Sequence, residues 1–143
     1  MSETTNENDM NVDRRYIKVM ADYMSSCLWH ADGIQADIDE LPVSAALRTR
    51  IAQWADWYNV NDDFLPAAER KNRLDLRKFN DEGLAIARAV KRELPDWTVV
   101  WWDECELIAQ VESGAGKSSR ELYEFEIMGD GSLGPARAGL VRE

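Results

Sequence analysis

At 143 residues the chain has the length of one ordinary domain, and its 45% apolar content with six Trp suffices for one hydrophobic core. It carries 27 acidic and 17 basic residues, and the net charge is −6 over residues 1–47, +3 over 48–92 and −8 over 93–130. Such an acidic field repels nucleic acid and anionic membranes and attracts cationic partners. The opening has neither the basic nor the apolar region of a secretory signal, and no run approaches about 18 apolar residues, so we expect a cytoplasmic protein.

The predicted elements begin with a strand. Residues 1–13 are polar and acidic, which is typical of a solvated tail before a domain that spans 14–130. Tyr16 to Ala21 is rich in strand-forming residues and predicts the first strand. Residues 24–43 have no sustained hydrophobic period, and the acidic cluster of Asp37, Asp39 and Glu40 is expected to lie on an exposed loop.

Two amphipathic helices are predicted in the middle of the chain. The first has one apolar stripe at helical spacing, formed by Leu47, Ile51, Trp54 and Tyr58. Ser44 is placed to cap its start. The second helix is predicted at about 80–94, with Asn80 or Asp81 as its cap and Pro95 as its stop.

After Pro95 the hydrophobic period changes to that of strands. Residues 97–102 are apolar at both alternating sets of positions, which predicts a strand buried on both faces. Residues 106–112 and 122–128 alternate, and the small residues between them predict a hairpin loop. We expect many carboxylates of this region to stand on a sheet face, and an irregular tail at 131–143.

This order of elements predicts an α+β (or α/β) fold. The expected architecture is a single two-layer domain, in which a mixed β-sheet of about four strands packs against two main helices. Because both helices lie between the first two strands, those strands are expected to run parallel through a right-handed crossover. The remaining strands would extend the sheet in antiparallel fashion.

The cysteines and the histidine limit the sites that the chain can build. Cys27 and Cys105 are expected to be free thiols, since two cysteines without an export signal seldom pair. His30 is the only histidine, so a paired-His metal site cannot form. No cofactor is expected, and no residue is assigned a catalytic or metal-binding role.

Two motifs leave an enzymatic alternative open. Residues 112–118 resemble the end of a phosphate-binding loop, but Val111 stands where the full pattern requires glycine. Asp103, Glu104 and Glu106 form an acidic cluster that can act as an acid and base pair or bind a divalent metal. The alternatives are therefore a small enzyme that binds a phosphate at 114–117 or a metal at 103–106, and an adaptor subunit of a larger complex.

A set of ordered motifs resembles a widespread family of small, acidic, uncharacterised bacterial proteins. The motifs are Asp22-Tyr23, Leu28-Trp29, Leu41-Pro42-x-Ser44-x-x-Leu47, Trp54, Tyr58 and Phe79-Asn80-x-Glu82-Gly83. The resemblance runs from about Tyr16 to Asp103 and transfers no catalytic residue, because the motifs carry no known active site. Small acidic proteins of this kind are similar in size and composition to immunity proteins encoded beside secreted bacterial toxins.

The sequence therefore favours a protein-binding function. The leading hypothesis is an immunity protein that neutralises a basic, nuclease-type toxin domain by occupying its cationic surface, with no nucleic acid or membrane as partner. The expected partner-binding residues are acidic or aromatic: Trp29, Asp37, Asp39, Glu40, Trp57, Asp103, Glu104, Glu106, Glu124 and Glu126.

Overall fold

A mixed sheet of five strands organises residues 15–61, 64–112 and 123–135, which the computed structural model describes. The elements in chain order are β1 (Tyr16–Val19), β2 (Leu28–Trp29), α1 (Ala45–Asn59), α2 (Leu76–Glu93), β3 (Thr98–Trp102), α3 (Glu104–Glu112), β4 (Glu124–Ile127) and β5 (Leu133–Pro135). Short 3₁₀ helices lie at Ile38–Glu40 and Ala67–Glu69. The predicted α+β architecture is confirmed, with one strand more than expected.

The strands lie in the order β2-β1-β3-β4-β5. β1 and β3 run parallel, with Val19 opposite Trp101, whereas every other neighbouring pair is antiparallel. This confirms the predicted pairing of the first strand with the strand at 97–102. In the described part of the chain, no helix combines the length and the apolar character needed to cross a membrane.

The hydrophobic core lies between one face of the sheet and the helices α1 and α2. The sheet contributes alternate residues, which are buried: Ile17, Val19, Val99, Trp101 and Ile127. The predicted stripe of α1 meets them through Leu47, Ile51 and Trp54, and Tyr58 is half-buried at its end. Each of these elements buries one row of apolar side chains, and we expect this burial to supply most of the free energy of unfolding.

Trp54 joins the two long helices. Its ring stacks on Phe79 with centroids 4.6 Å apart, and its indole N–H donates to the Phe79 carbonyl at 2.9 Å. A Cβ at Gly83 would lie 2.7 Å from Trp54 Cζ2, so only glycine lets α2 approach the ring this closely. The contact fixes the packing of α1 against α2.

The helix caps were predicted correctly at one of two sites. Ser44 caps α1, since its hydroxyl accepts from the Leu47 N–H at 3.2 Å. α2 begins at Leu76, earlier than predicted, and its cap is Asp75, whose carboxylate accepts from the Lys78 N–H at 3.2 Å. Asn80 and Asp81 lie inside the helix, so the prediction of either as the cap is wrong.

The chain after β3 differs most from the prediction. Residues 106–112 belong to α3 and do not form a strand, so the predicted hairpin with 122–128 is wrong. β4 pairs instead with β3 and β5, and β5 lies inside the segment 131–143 that was predicted to be irregular. Residues 113–119, the expected hairpin loop, lie outside the described residues.

Candidate functional site

β1 and β3 end at the same edge of the sheet because they run parallel and in register. Functional groups often gather where the carboxyl ends of parallel strands meet. Here the chain continues from β1 into residues 20–27 and from β3 directly into α3. We call the side chains that gather there the carboxyl-edge surface; they are Asp22, Tyr23, Met24, Tyr58, Phe64 and Glu104.

Asp103 and the buried Asn80 fix the start of α3. Asp103 Oδ1 accepts from Asn80 Nδ2 at 2.8 Å and from the Glu106 N–H at 3.0 Å. Asn80 Oδ1 accepts from the Glu104 N–H at 2.8 Å. Asp103 was predicted to contact a partner, and its carboxylate is used here to cap the helix and to position Glu104.

Glu104 is the most perturbed carboxyl group of this surface. Burial, together with the negative charges of Asp22 and Asp103, raises the pKa of Glu104 to about 7, while a hydrogen bond from the Trp102 indole acts in the opposite direction. In residues 15–61, 64–112 and 123–135, no Lys or Arg forms an ion pair with Glu104 or Asp22. A Lys or Arg side chain of a partner would therefore meet two carboxyl groups that form no ion pair with the described residues of this chain.

Within residues 15–61, 64–112 and 123–135, the two thiols near Glu104 are not activated nucleophiles. Burial raises the pKa of the Cys27 thiol, and burial with the nearby Asp103 raises that of Cys105. Both are free thiols, as expected. A thiol with a raised pKa stays protonated near neutral pH and reacts poorly.

Hydrogen bonds hold the segment after β1 against the end of α1. The Met24 N–H donates to Asn59 Oδ1 at 2.7 Å, and the Tyr23 hydroxyl donates to Asn61 Oδ1 at 2.7 Å. The Tyr23 ring lies 4.6 Å from Tyr58 and 5.9 Å from Phe64, centroid to centroid. These contacts bring aromatic side chains next to the acidic groups of the same edge.

The predicted acidic loop lies beside a shallow depression. Asp37, Asp39 and Glu40 are exposed as expected, and Asp37 caps the 3₁₀ helix by accepting from the Asp39 N–H at 2.9 Å. The depression has a volume of about 340 Å³ and is lined by Ser26, Gln35, Ala36, Asp37 and Ile38. Asp37 therefore lies on a concave part of the surface.

The other predicted residues are half-buried. The Trp29 indole N–H donates to the Met20 carbonyl at 2.8 Å. Trp57 packs edge-on against Phe79 with centroids 5.3 Å apart, so it belongs in part to the core. Glu106 lies in the first turn of α3.

Glu124 and Glu126 stand on one face of the sheet, as expected for carboxylates of this region, but the structure buries them there. They are only 6% and 3% exposed, on the face opposite the core. Lys18 lies on the same face, and its Nζ is 2.5 Å from Glu124 Oε2 and 5.4 Å from the centre of the Trp102 ring. A buried cation explains why a carboxylate can occupy this face.

Sequence reasoning missed Asp22, Met24 and Phe64 as candidates. One signal was present: residues 19–47 and 51–69 contain no Lys or Arg, although both segments contain several acids. No sequence signal indicates that the Met24 side chain is exposed, because its orientation depends on the path of the backbone after β1.

Neither enzymatic motif gains support. Among the residues that the structure describes, no three His, Cys, Asp or Glu side chains are grouped so that they can hold a metal ion. The 114–117 loop lies outside those residues.

We expect Glu104→Gln to raise the free energy of unfolding at pH 8 and to raise it much less at pH 5. The folded-state pKa lies above its ordinary value of 4.5, so the folded protein keeps a proton that the unfolded chain has released between about pH 4.5 and 7. Stability from this group is therefore lost as the pH rises through that range. A neutral amide avoids this loss, with a gain of about 1–3 kcal/mol at pH 8 after allowance for partial exposure.

Urea denaturation at the two pH values measures this effect. Glu112→Gln, at the exposed end of the same helix, is the matched control and should change little at either pH. An equal change for Glu104→Gln at pH 5 and pH 8 would show that Glu104 does not titrate near neutrality.

Comparison with known protein families identifies a bacterial family whose model matches this chain. The model of the family described as Serratia CdiI immunity protein-like matches residues 15–104, which is more than half of the chain. The match begins just before β1 and ends at Glu104, so it includes all six residues of the carboxyl-edge surface. None of the curated proteins matches the chain.

Proposed function

The chain belongs to the Serratia CdiI immunity protein-like family, and on that basis we propose that it neutralises a basic, nuclease-type toxin domain by occupying the cationic surface of that domain. The family match is the observation that carries this proposal. An immunity protein acts by binding, which agrees with the unreactive thiols described above.

The charge of the chain supports the choice of a basic partner. Its net charge is −10, and a nuclease needs a cationic cleft for its own substrate. Complementary charges can raise association rates from about 10⁵–10⁶ to about 10⁸–10⁹ M⁻¹s⁻¹ at low salt. Fast capture is an advantage for an inhibitor that must bind the toxin before the toxin meets nucleic acid.

Two groups of acidic side chains support binding through the surface of the fold. One consists of Asp37, Asp39 and Glu40 beside the shallow depression. The other consists of Asp22 and Glu104 on the carboxyl-edge surface. Both lie in segments of the sequence that lack Lys and Arg, which favours a locally negative field.

We expect the association rate with the toxin domain encoded beside this gene to fall at least about tenfold between 50 mM and 500 mM salt, since screening shortens the reach of surface charge. Asp39→Lys combined with Glu40→Lys should lower the low-salt rate further and flatten the salt dependence. Stopped-flow mixing measures both effects.

The control changes the net charge by the same amount elsewhere. Glu69→Lys combined with Asp96→Lys replaces two exposed acids outside the proposed surface. If both double variants slow association equally, net charge alone steers the encounter and the 3₁₀ helix is not part of the binding surface. A rate independent of salt would contradict a cationic binding site on the toxin.

A further inference from the structure

Met24 is the most exposed large apolar side chain among the described residues, with 90% of its surface accessible. Its backbone has φ = +59°, a left-handed conformation that is unfavourable for a residue with a side chain. Strain of this kind persists where the surrounding structure imposes it, and it gathers at functional sites.

Neighbouring contacts impose this conformation. The Met24 N–H is held by Asn59 Oδ1, and the Ser25 hydroxyl donates to the Asp22 carbonyl at 2.9 Å. The Cys27 N–H donates to Ser25 Oγ at 3.0 Å, and Cys27 has φ = +64°. The segment therefore presents Met24 outward from a fixed backbone, which lowers the ordering cost of binding.

Two further exposed apolar side chains lie close to the contacts of this segment: Phe64 packs against Tyr23, and Val60 follows Asn59, which accepts from the Met24 N–H. Phe64 is 71% exposed and Val60 is 62% exposed. A contiguous exposed apolar patch on a small domain commonly marks a binding surface. Methionine suits such a surface because its flexible, polarizable side chain adapts to a pocket.

The charge around the patch determines what can cover it. Asp22 and Glu104 border it, and the described segments 19–47, 51–61 and 103–112 contain no Lys or Arg. A second copy of this chain would bring acid against acid. A partner with an apolar pocket and a basic rim complements both features.

We propose that Met24 is the apolar anchor of the interface with the toxin, and that it enters an apolar pocket whose rim places Lys or Arg side chains against Asp22 and Glu104. This inference rests on the proposed function and adds to it the surface and the pocket chemistry that the partner must have. The central apolar contact limits dissociation, and the surrounding charges speed association.

The test is Met24→Asn, assayed by surface plasmon resonance against the toxin domain encoded beside this gene. Asparagine tolerates the left-handed conformation, so the melting temperature should stay the same or rise. The Kd should increase about 10- to 30-fold, mainly through faster dissociation. Met128→Asn, the same substitution at a partly exposed site beside β5, is the matched control and should bind like the unsubstituted protein.

The outcomes separate this inference from the proposed function. If the unsubstituted protein fails to bind the toxin domain, the proposed function is wrong. If it binds and Met24→Asn binds equally well, only the assignment of Met24 is wrong. A dimer of the protein alone that Met24→Asn dissociates would also overturn the assignment, because a second copy would then occupy the patch.

Proton release gives an independent test of the basic rim. The described titratable groups that interact with Glu104 are Asp22, Asp103, Tyr58, Cys27 and Cys105, and none of them is cationic. The cation Arg77 acts on Cys105. A cation placed against Glu104 should displace its proton, so binding at pH 7 should release about half a proton. Calorimetry in buffers of different ionisation enthalpy measures this release, and Glu104→Gln should abolish it. Unchanged proton release in that variant would contradict the proposal that a basic rim of the partner lies against Glu104.

Discussion

Trp54→Ala should lower the free energy of unfolding by about 3–5 kcal/mol, a large share of the 5–15 kcal/mol typical of a domain this size. Trp54 is buried, stacks on Phe79 and donates to its carbonyl. Gly83 is already in contact with the ring, and α1 and α2 cannot close fully on the cavity that the ring leaves. Chemical denaturation measures the loss.

Trp57→Ala, on the same helix, is the control. Trp57 is half-buried and meets Phe79 in a T-shaped contact, whereas Trp54 is buried and stacked, so removal of Trp57 should cost clearly less. Equal losses at both positions would mean that α1 is buried around its whole circumference, contrary to the stripe that the sequence predicts.

Glu124→Ala should cost about 3–5 kcal/mol, because it leaves the Lys18 ammonium group buried without its ion-pair partner. Replacing both residues by apolar ones, Lys18→Met with Glu124→Leu, should cost clearly less than the single change, since the apolar pair needs no compensating charge. Thermal melts of the two variants measure the difference. A double variant less stable than Glu124→Ala would show that the ion pair itself contributes strongly to the stability of this face.

The parts of the fold that depend on local signals were predictable. α1 combines an apolar stripe with a serine cap, and both are visible within 16 residues of sequence. The parallel pairing of β1 and β3 follows from the order of elements, because a connection that contains helices allows it.

The errors occur where a distant residue decides the structure. The pattern of residues 106–112 is too short to distinguish a strand from a helix, and the helix is started by Asp103 together with Asn80 from α2. Alternation in β4 correctly separates two faces, but it does not reveal that Lys18, far away in sequence, lies beside Glu124.

The candidate site was predictable in part. The acidic run after β3 drew attention to Glu104, whereas the elevated pKa of Glu104 depends on burial and on Asp22 from a different strand end. Met24 could not be found from sequence, because a positive φ at a methionine arises from the hydrogen bond to Asn59 and its neighbours.

The most direct measurement is a titration of the nuclease activity of the proposed toxin partner with increasing amounts of the purified protein. If the protein neutralises a basic toxin by occupying its cationic surface, activity should disappear at a molar ratio of one to one, and Met24→Asn should require a higher concentration. Full nuclease activity at a large molar excess of the folded, unsubstituted protein would contradict the proposed function.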